Sequence, residues 1–299
     1  MRYFEDVVVG LAMAPVDADL LRYARMVHEM GRGQTQFTFI HVLQSGDTDG
    51  PRDSLAPSLT DARATMQEAI AQHFGDATGH EPIVTHGNRV DVLLGHLAEL
   101  SADLVMVGHR RSSRGRRAFS RRLATKAPCS VWMVPEGSPP QITGVVAAVD
   151  LSLPSAQAIS LATCIAQRAG LEQCVALHVQ PPGRFGFDDV ERATAAHALE
   201  RFLSPLELHD VEVTPVIEES GSVAGAVNAL AASGGQNLIV VGTRGRNSSA
   251  AVLLGSESEH VLAESPVPVL ITKEPGERIG ILRALLDRDF HLRRGPRFG

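Results

Sequence analysis

The chain carries one plan twice, and that repeat constrains its fold more than any other feature of its 299 residues. The first copy opens with an apolar run at Asp6–Leu11 and the second with Gly144–Val149. Each runs on into a loop and an amphipathic segment, about Asp17–Met30 and about Ser155–Ala169. Each then reaches an apolar run ending in the same dipeptide: Phe37–Val42 closes on His41-Val42, and Cys174–Val179 on His178-Val179. A variable stretch follows, holding the helical segments Asp61–Phe74 and Asp188–Leu203, then short strands at Glu81–Thr85 and Glu212–Ile217. Both copies next read glycine, helix, strand, glycine: Gly87, Val90–Leu100, Leu104–Val107, Gly108; and Gly221, Val223–Ala232, Leu238–Val241, Gly242. The last apolar runs are Ser130–Val134 and Val267–Thr272. Helices alternating with short apolar strands spell right-handed βαβ crossovers. The expected fold class is α/β: two tandem, five-stranded, parallel, doubly wound, Rossmann-like domains.

Composition agrees with that reading. Only 4% of residues are aromatic while 44% are hydrophobic. Ala, Val and Leu must therefore build the core, as in parallel sheets covered by helices. A formal charge of −6 gives no bulk basic signature for nucleic acid. No apolar run reaches membrane-span length, and MRYFEDVVVG enters a strand without a leader pattern. Three scattered cysteines, Cys129, Cys164 and Cys174, without metal-ligand spacing, read as buried reduced thiols in a cytoplasmic protein. The segment Pro135–Thr143 (PEGSPPQIT) separates the copies. The expected domains are residues 1–138 and 141–273, with 274–299 as a tail in which Ile279–Phe290 could form an amphipathic helix.

In the second copy the chemistry concentrates at Val240–Ser258, VVGTRGRNSSAAVLLGSES. An apolar strand ends at Gly242, Gly245 follows, and Gly255-Ser256 stands where the next helix begins. Glycines let the backbone turn and a ligand approach, and a helix start offers free N–H groups to an anion such as phosphate. There is no Walker lysine, so this is not the common P-loop.

That spacing, with its flanking strand and helix, resembles the nucleotide-binding motif of the universal stress protein family, and the resemblance extends over nearly the whole chain, once per copy. It implies adenine nucleotide alpha hydrolase-like domains, with ATP in the second. The residues matched to the site are Ala148, Val149 and Asp150 at the first strand end, Val179 beside the adenine edge, and Val241 and Gly242. Arg244, Gly245, Gly255, Ser256, Glu257 and Ser258 complete the ribose and phosphate side. Asp150 could instead be a loop or capping aspartate, Val179 a core valine, and Ser256 a helix cap. Arg244 and Arg246 could pair with phosphate oxygens or stand in solvent. Glu257 departs from the family pattern of a small or apolar residue. Turned inward, it would repel phosphates or require a divalent ion, Mg or Mn, held through them; turned outward, it would only complement the helix dipole.

The first copy lacks the motif. No aspartate ends its first strand, and Asp17 reads as a helix N-cap. Arg111 stands where a second glycine should be, and no Gly-Ser pair follows. Gly108 to Pro128 spans 20 residues against 24 from Gly242 to Pro266, one helical turn less. The replacing segment, Arg110–Lys126, is strongly basic and without acids: a solvated helix face, or a patch for an acidic or phosphorylated partner. The resemblance implies a cytoplasmic stress-response regulator that binds ATP in its second domain. Alternatives are a slow ATPase or autokinase at the same site, or an interaction module using the basic segment. No catalytic constellation surrounds the motif, and His260 reads as a surface residue. By the same resemblance, the last strands of the two copies pair within the chain, leaving a likeness to a dimer that can itself form a homodimer. A bare apolar edge would otherwise invite aggregation.

Overall fold

The computed structural model describes residues 3–43, 59–75, 82–109, 114–182, 188–233, 235–243 and 254–273, with residues 114–117 described in backbone only. The first half runs β1 (Asp6–Leu11), α1 (Val16–Met30), β2 (Gln36–Leu43), α2 (Leu59–His73), β3 (Ile83–His86), α3 (Arg89–Glu99), β4 (Leu104–His109), α4 (Arg114–Lys126) and β5 (Ser130–Pro135). The second repeats it as β6 (Val145–Ala148), α5 (Leu153–Arg168), β7 (Gln173–Gln180), α6 (Asp189–Leu203), β8 (Glu212–Glu219), α7 (Val223–Ser233), β9 (Leu238–Gly242), α8 (Ser256–Glu264) and β10 (Val269–Thr272). The tail, its expected helix at Ile279–Phe290 included, lies outside the described residues.

All ten strands join one sheet in the order β3-β2-β1-β4-β5-β10-β9-β6-β7-β8. Within each half every pairing is parallel. The halves meet through one antiparallel pair, β5 on β10, with Val131 opposite Ile271, Trp132 opposite Leu270 and Met133 opposite Val269. The last strands therefore pair within the chain, and neither is left as an edge. Strand order reverses between β1 and β4 in one half and between β6 and β9 in the other, and such switch points open a crevice beyond the carboxyl ends of the strands.

Strand alternation splits the core into two layers that both cross the junction. Trp132, Leu270 and Val240 point to the face covered by α1, α2, α5 and α6. Val131, Ile271 and Val241 point to the face covered by α3, α4, α7 and α8. Trp132 is fully buried and meets Tyr23 edge-on, ring centroids 5.6 Å apart. Truncating such a residue typically costs about 3–5 kcal/mol, so the junction is core rather than linker.

Polar contacts reinforce it. Lys273, 4% exposed, donates from Nζ to Ala127 O at 2.8 Å and to Thr125 O at 3.4 Å, placing a cation of the second half at the carboxyl end of α4. On the opposite face, Arg168 reaches Met30 O at 2.8 Å and lies 4.4 Å from the Tyr3 ring centroid. Cys129, Cys164 and Cys174 are free and buried, and burial pushes the Cys129 and Cys174 thiols up to about 12. They are packing residues without reactive thiolate character.

Candidate functional site

A cleft of about 540 Å³ opens at the β6/β9 switch point. Ala148, Val149 and Asp150 reach it from the end of β6, and Val179 from β7. Val241 and Gly242 enter from β9; Gly255, Ser256, Glu257 and Ser258 form its wall at the start of α8. Ten of the twelve residues expected at the site thus share one concavity. Arg244 and Gly245 lie outside the described residues, as does Arg246.

The start of α8 is built to meet an anion. Gly255 is its N-cap, with extended backbone at φ −63° and ψ 145°, and has no side chain to cap the helix. Its own N–H is used by Thr243 O at 2.7 Å, and its carbonyl accepts Glu259 N–H at 2.9 Å. The first-turn N–H groups of Ser256, Glu257 and Ser258 therefore have no intrahelical acceptor, and they stand at the cleft with the positive end of the helix dipole. Glu257 lines the cleft while remaining exposed, so its carboxylate can turn to water when an anion takes its place. Ser258 differs from expectation. Its side chain is buried, and Oγ donates to Gly242 O at 2.7 Å, tying α8 to the strand end; only its lone pairs remain for other groups. His260 is exposed and is not among the cleft-lining residues.

Two residues have a physical role the motif alone did not disclose. A Cβ on Gly242 would lie 2.9 Å from the carbonyl carbon and oxygen of Pro154, so this glycine lets the start of α5 sit against β9. The glycine therefore serves helix-on-strand packing whether or not a ligand is bound. The repeated histidine is the second. His178 Nδ1 is 2.6 Å from Val149 O and Nε2 is 2.9 Å from Gln180 Nε2, which requires the Nδ1–H tautomer with Gln180 donating. It fixes the strand end that carries Asp150. His41 makes the same bond to Leu11 O at 2.9 Å. The His-Val dipeptide was visible as a repeat; its hydrogen bond, spanning two strands, was not.

Asp150 combines both readings open to it. It lines the cleft, and its Oδ1 accepts the backbone N–H of Ser152 at 3.1 Å and the Ser152 hydroxyl. The helix cap itself is Ser152, in a capping box with Ser155.

The first half has a cleft too, of about 510 Å³, at the β1/β4 switch point. Its walls are rebuilt. Counting from the prolines at 128 and 266, Ala118 falls at the place of Ser256 and Phe119 at that of Glu257. The shorter segment is not simply a shorter loop, because α4 starts at Arg114, one turn earlier than α8 does by the same count. The N–H groups of Ala118, Phe119 and Ser120 consequently lie inside the helix and are spent on preceding carbonyls. Ala12 holds the place of Asp150. Asp17 is not an N-cap: Pro15 is, and Asp17 sits in the first turn with its buried carboxylate accepting Ala12 N–H at 3.0 Å and Ala14 N–H at 3.1 Å. Burial raises its pKa against those bonds. Met13 and Leu151 share a left-handed backbone, φ 55° and 62°, so both halves turn alike between strand and helix.

The basic segment also changes meaning in three dimensions. The sequence offers it no acid, but α8 supplies Glu259 to Arg121 at 2.8 Å, and α3 supplies Asp91 to Arg122 at 3.9 Å. Arg110 and Arg111 lie outside the described residues, and of Arg114, Arg116 and Arg117 only the backbone is described.

A tandem doubly wound sheet with a crevice at each switch point defines a class, and comparison with known proteins narrows it. The model of the universal stress protein family matches residues 4–135 and again 142–273. The chain belongs to the universal stress protein family. Among solved structures, a universal stress protein from Archaeoglobus fulgidus aligns at 16% identity and TM-score 0.67, over 92% of this chain and 98% of that one. A putative universal stress protein from Pseudomonas aeruginosa aligns at 19% identity and TM-score 0.66, over 95% and 98%. A Pseudomonas aeruginosa protein described as functionally unknown gives 18% and 0.68 over the same shares. No curated protein matches significantly.

Proposed function

We propose that this protein is a stress-response regulator whose second domain, residues 141–273, binds ATP in the cleft between β6 and β9, while the first domain, residues 1–138, does not. The observation that carries this reading is the open start of α8: three backbone N–H groups and the Ser256 hydroxyl at the wall of a cleft that Asp150 also lines. Phosphates would take the α8 end, ribose hydroxyls the Asp150 carboxylate, and the adenine edge the backbone around Val179. Among the described residues no group of three metal-ligating side chains gathers. A Mg or Mn ion would be held through the phosphates, and Glu257 is a carboxylate lining the cleft at the start of α8. Arg244 and Gly245, matched by the family motif, would add to the phosphate side. A ligand in the cleft would change the surface that a partner reads. We place the protein in the cytoplasm and expect a homodimer of the full chain.

The test is the nucleotide content of the purified protein, released by acid and identified by mass. About one adenine nucleotide per chain is expected, lost on Gly255→Val together with Gly245→Val. Valine accepts the extended backbone of Gly255, so the loss would come from blocked approach. Two per chain, or one that survives the double substitution, would refute the assignment.

A further inference from the structure

We propose that the cleft of the first half is a separate ligand site, for a small amphiphilic monoanion: an aromatic or branched apolar body carrying one carboxylate or sulfonate. The differences from the second half at α4 and at the end of β1 favour that chemistry over a nucleotide. The phosphate end is closed, because α4 continues through it and spends the N–H groups of Ala118–Ser120. The start of α3 is capped, as that of α7 is by Ser222: Asn88 Oδ1 accepts the N–H groups of Val90 at 3.0 Å and Asp91 at 3.3 Å. Two carboxylates of the second cleft have gone, with Ala12 at the place of Asp150 and Phe119 at that of Glu257. The Asp17 carboxylate is turned into the Ala12 and Ala14 N–H groups.

What remains is a lining of apolar side chains with two arginines among them. Leu11, Ile40, Val90, Leu93 and Val107 are buried beneath the cleft, and Phe119 adds an aromatic wall. Arg89 and Arg122 stand among its lining residues. The acid beside Arg122, Asp91, is 3.9 Å away and both are about half-exposed, a loose pair that a ligand anion can join. A cavity of about 510 Å³ lined mostly by apolar side chains, with Asn88, Arg89, Ser120 and Arg122 as its polar ones, is a usual form of a small-molecule pocket. Among the described residues it lacks the open helix start and strand-end carboxylate of the second cleft, while Arg89 and Arg122 suffice for one anionic group. This inference stands independently of ATP binding in the second half.

The probe is 8-anilinonaphthalene-1-sulfonate, titrated by fluorescence into the full chain saturated with ATP and magnesium. N-phenyl-1-naphthylamine serves as its uncharged counterpart. One saturable site is expected, unaffected by ATP. Ala118→Trp fills the cleft from an exposed helix position and Ala12→Trp from the strand end, and each should abolish binding. Arg89→Gln with Arg122→Gln should weaken the sulfonate about tenfold and leave the neutral probe within about twofold. Circular dichroism and melting check that each variant is folded, and either filling variant suffices alone. Absence of a saturable site overturns the proposal. So do binding indifferent to both filling variants, displacement by ATP, and equal weakening of the two probes by the arginine changes.

Discussion

The two clefts occupy equivalent places in the two halves, have nearly equal volumes, and end in opposite chemistry. In the second, β9 is followed by residues 243–255 before α8 begins, and the helix start opens on the cleft. In the first, only residues 110–113 separate β4 from α4, and the cleft meets the side of a helix. The crevice belongs to the sheet, which reverses strand order in both halves. The open N–H donors belong to where one helix starts. One turn of added helix is enough to separate the two, because it converts free N–H donors into spent ones.

Moving that helix start should therefore move the function, and this is the largest effect expected. Replacing residues 110–118 by residues 244–256, together with Ala12→Asp, gives the first half the loop, the open N-terminus and the strand-end carboxylate of the second. Adenine nucleotide per chain should rise from about one to about two. A chimera that folds, melts normally and still holds one would mean that the difference lies elsewhere in the first half.

A smaller effect separates the two strand-end glycines. A Cβ on Gly242 meets backbone atoms of Pro154 at 2.9 Å, whereas one on Gly108 meets Val16 Cγ2 at 2.8 Å and Cγ1 at 3.1 Å, methyl groups that must shift but do not force the backbone of α1 directly. Overpacking of this kind costs about 1–3 kcal/mol. We expect Gly242→Ala near the upper end and Gly108→Ala near about 1 kcal/mol by urea unfolding. Equal costs, or the reverse order, would show that backbone and side-chain neighbours yield alike here.

Much of this was legible beforehand, for a physical reason. Strand and helix identity follow from local apolar periodicity, and the repeat doubled every observation. Expected segments such as Asp6–Leu11 and Leu238–Val241 sit on strands of the structure, and most others shift by one to three residues at their ends. Contacts between distant segments were not legible. The acids beside Arg121 and Arg122 come from α8 and α3, the hydroxyl of Ser258 turns inward to Gly242 O, and Asp17 folds back on Ala12 rather than capping its helix. Each depends on which elements pack together, which spacing along one strand or helix does not encode.

The smallest expected effect compares two residues that hold corresponding strand starts by one hydrogen bond. Asn237 Oδ1 accepts Thr143 N–H at 2.8 Å, and its amide donates to Gln141 O at 2.7 Å. At the corresponding place in the first half, Asp103 Oδ2 accepts Glu5 N–H at 2.7 Å, while its Oδ1 is buried without a hydrogen-bond partner. Burial, and after it the nearby Asp6 and Glu5 carboxylates, push Asp103 up to about 6, against the backbone N–H groups that favour its charge. A carboxyl with a raised folded-state pKa is held more tightly by its proton in the folded chain. Its contribution is thus fully present below about pH 4 and lost as pH rises through about 6. Asp103→Asn, which installs the second half's solution, should be pH-independent at this position. Relative to the parent chain it should gain about 1 kcal/mol between pH 4 and pH 7, discounted for partial exposure. Asn237→Asp should acquire the opposite slope. Denaturant unfolding of both variants across that range decides it, and parallel pH profiles for parent and variants would show that the two strand starts are not held by equivalent chemistry.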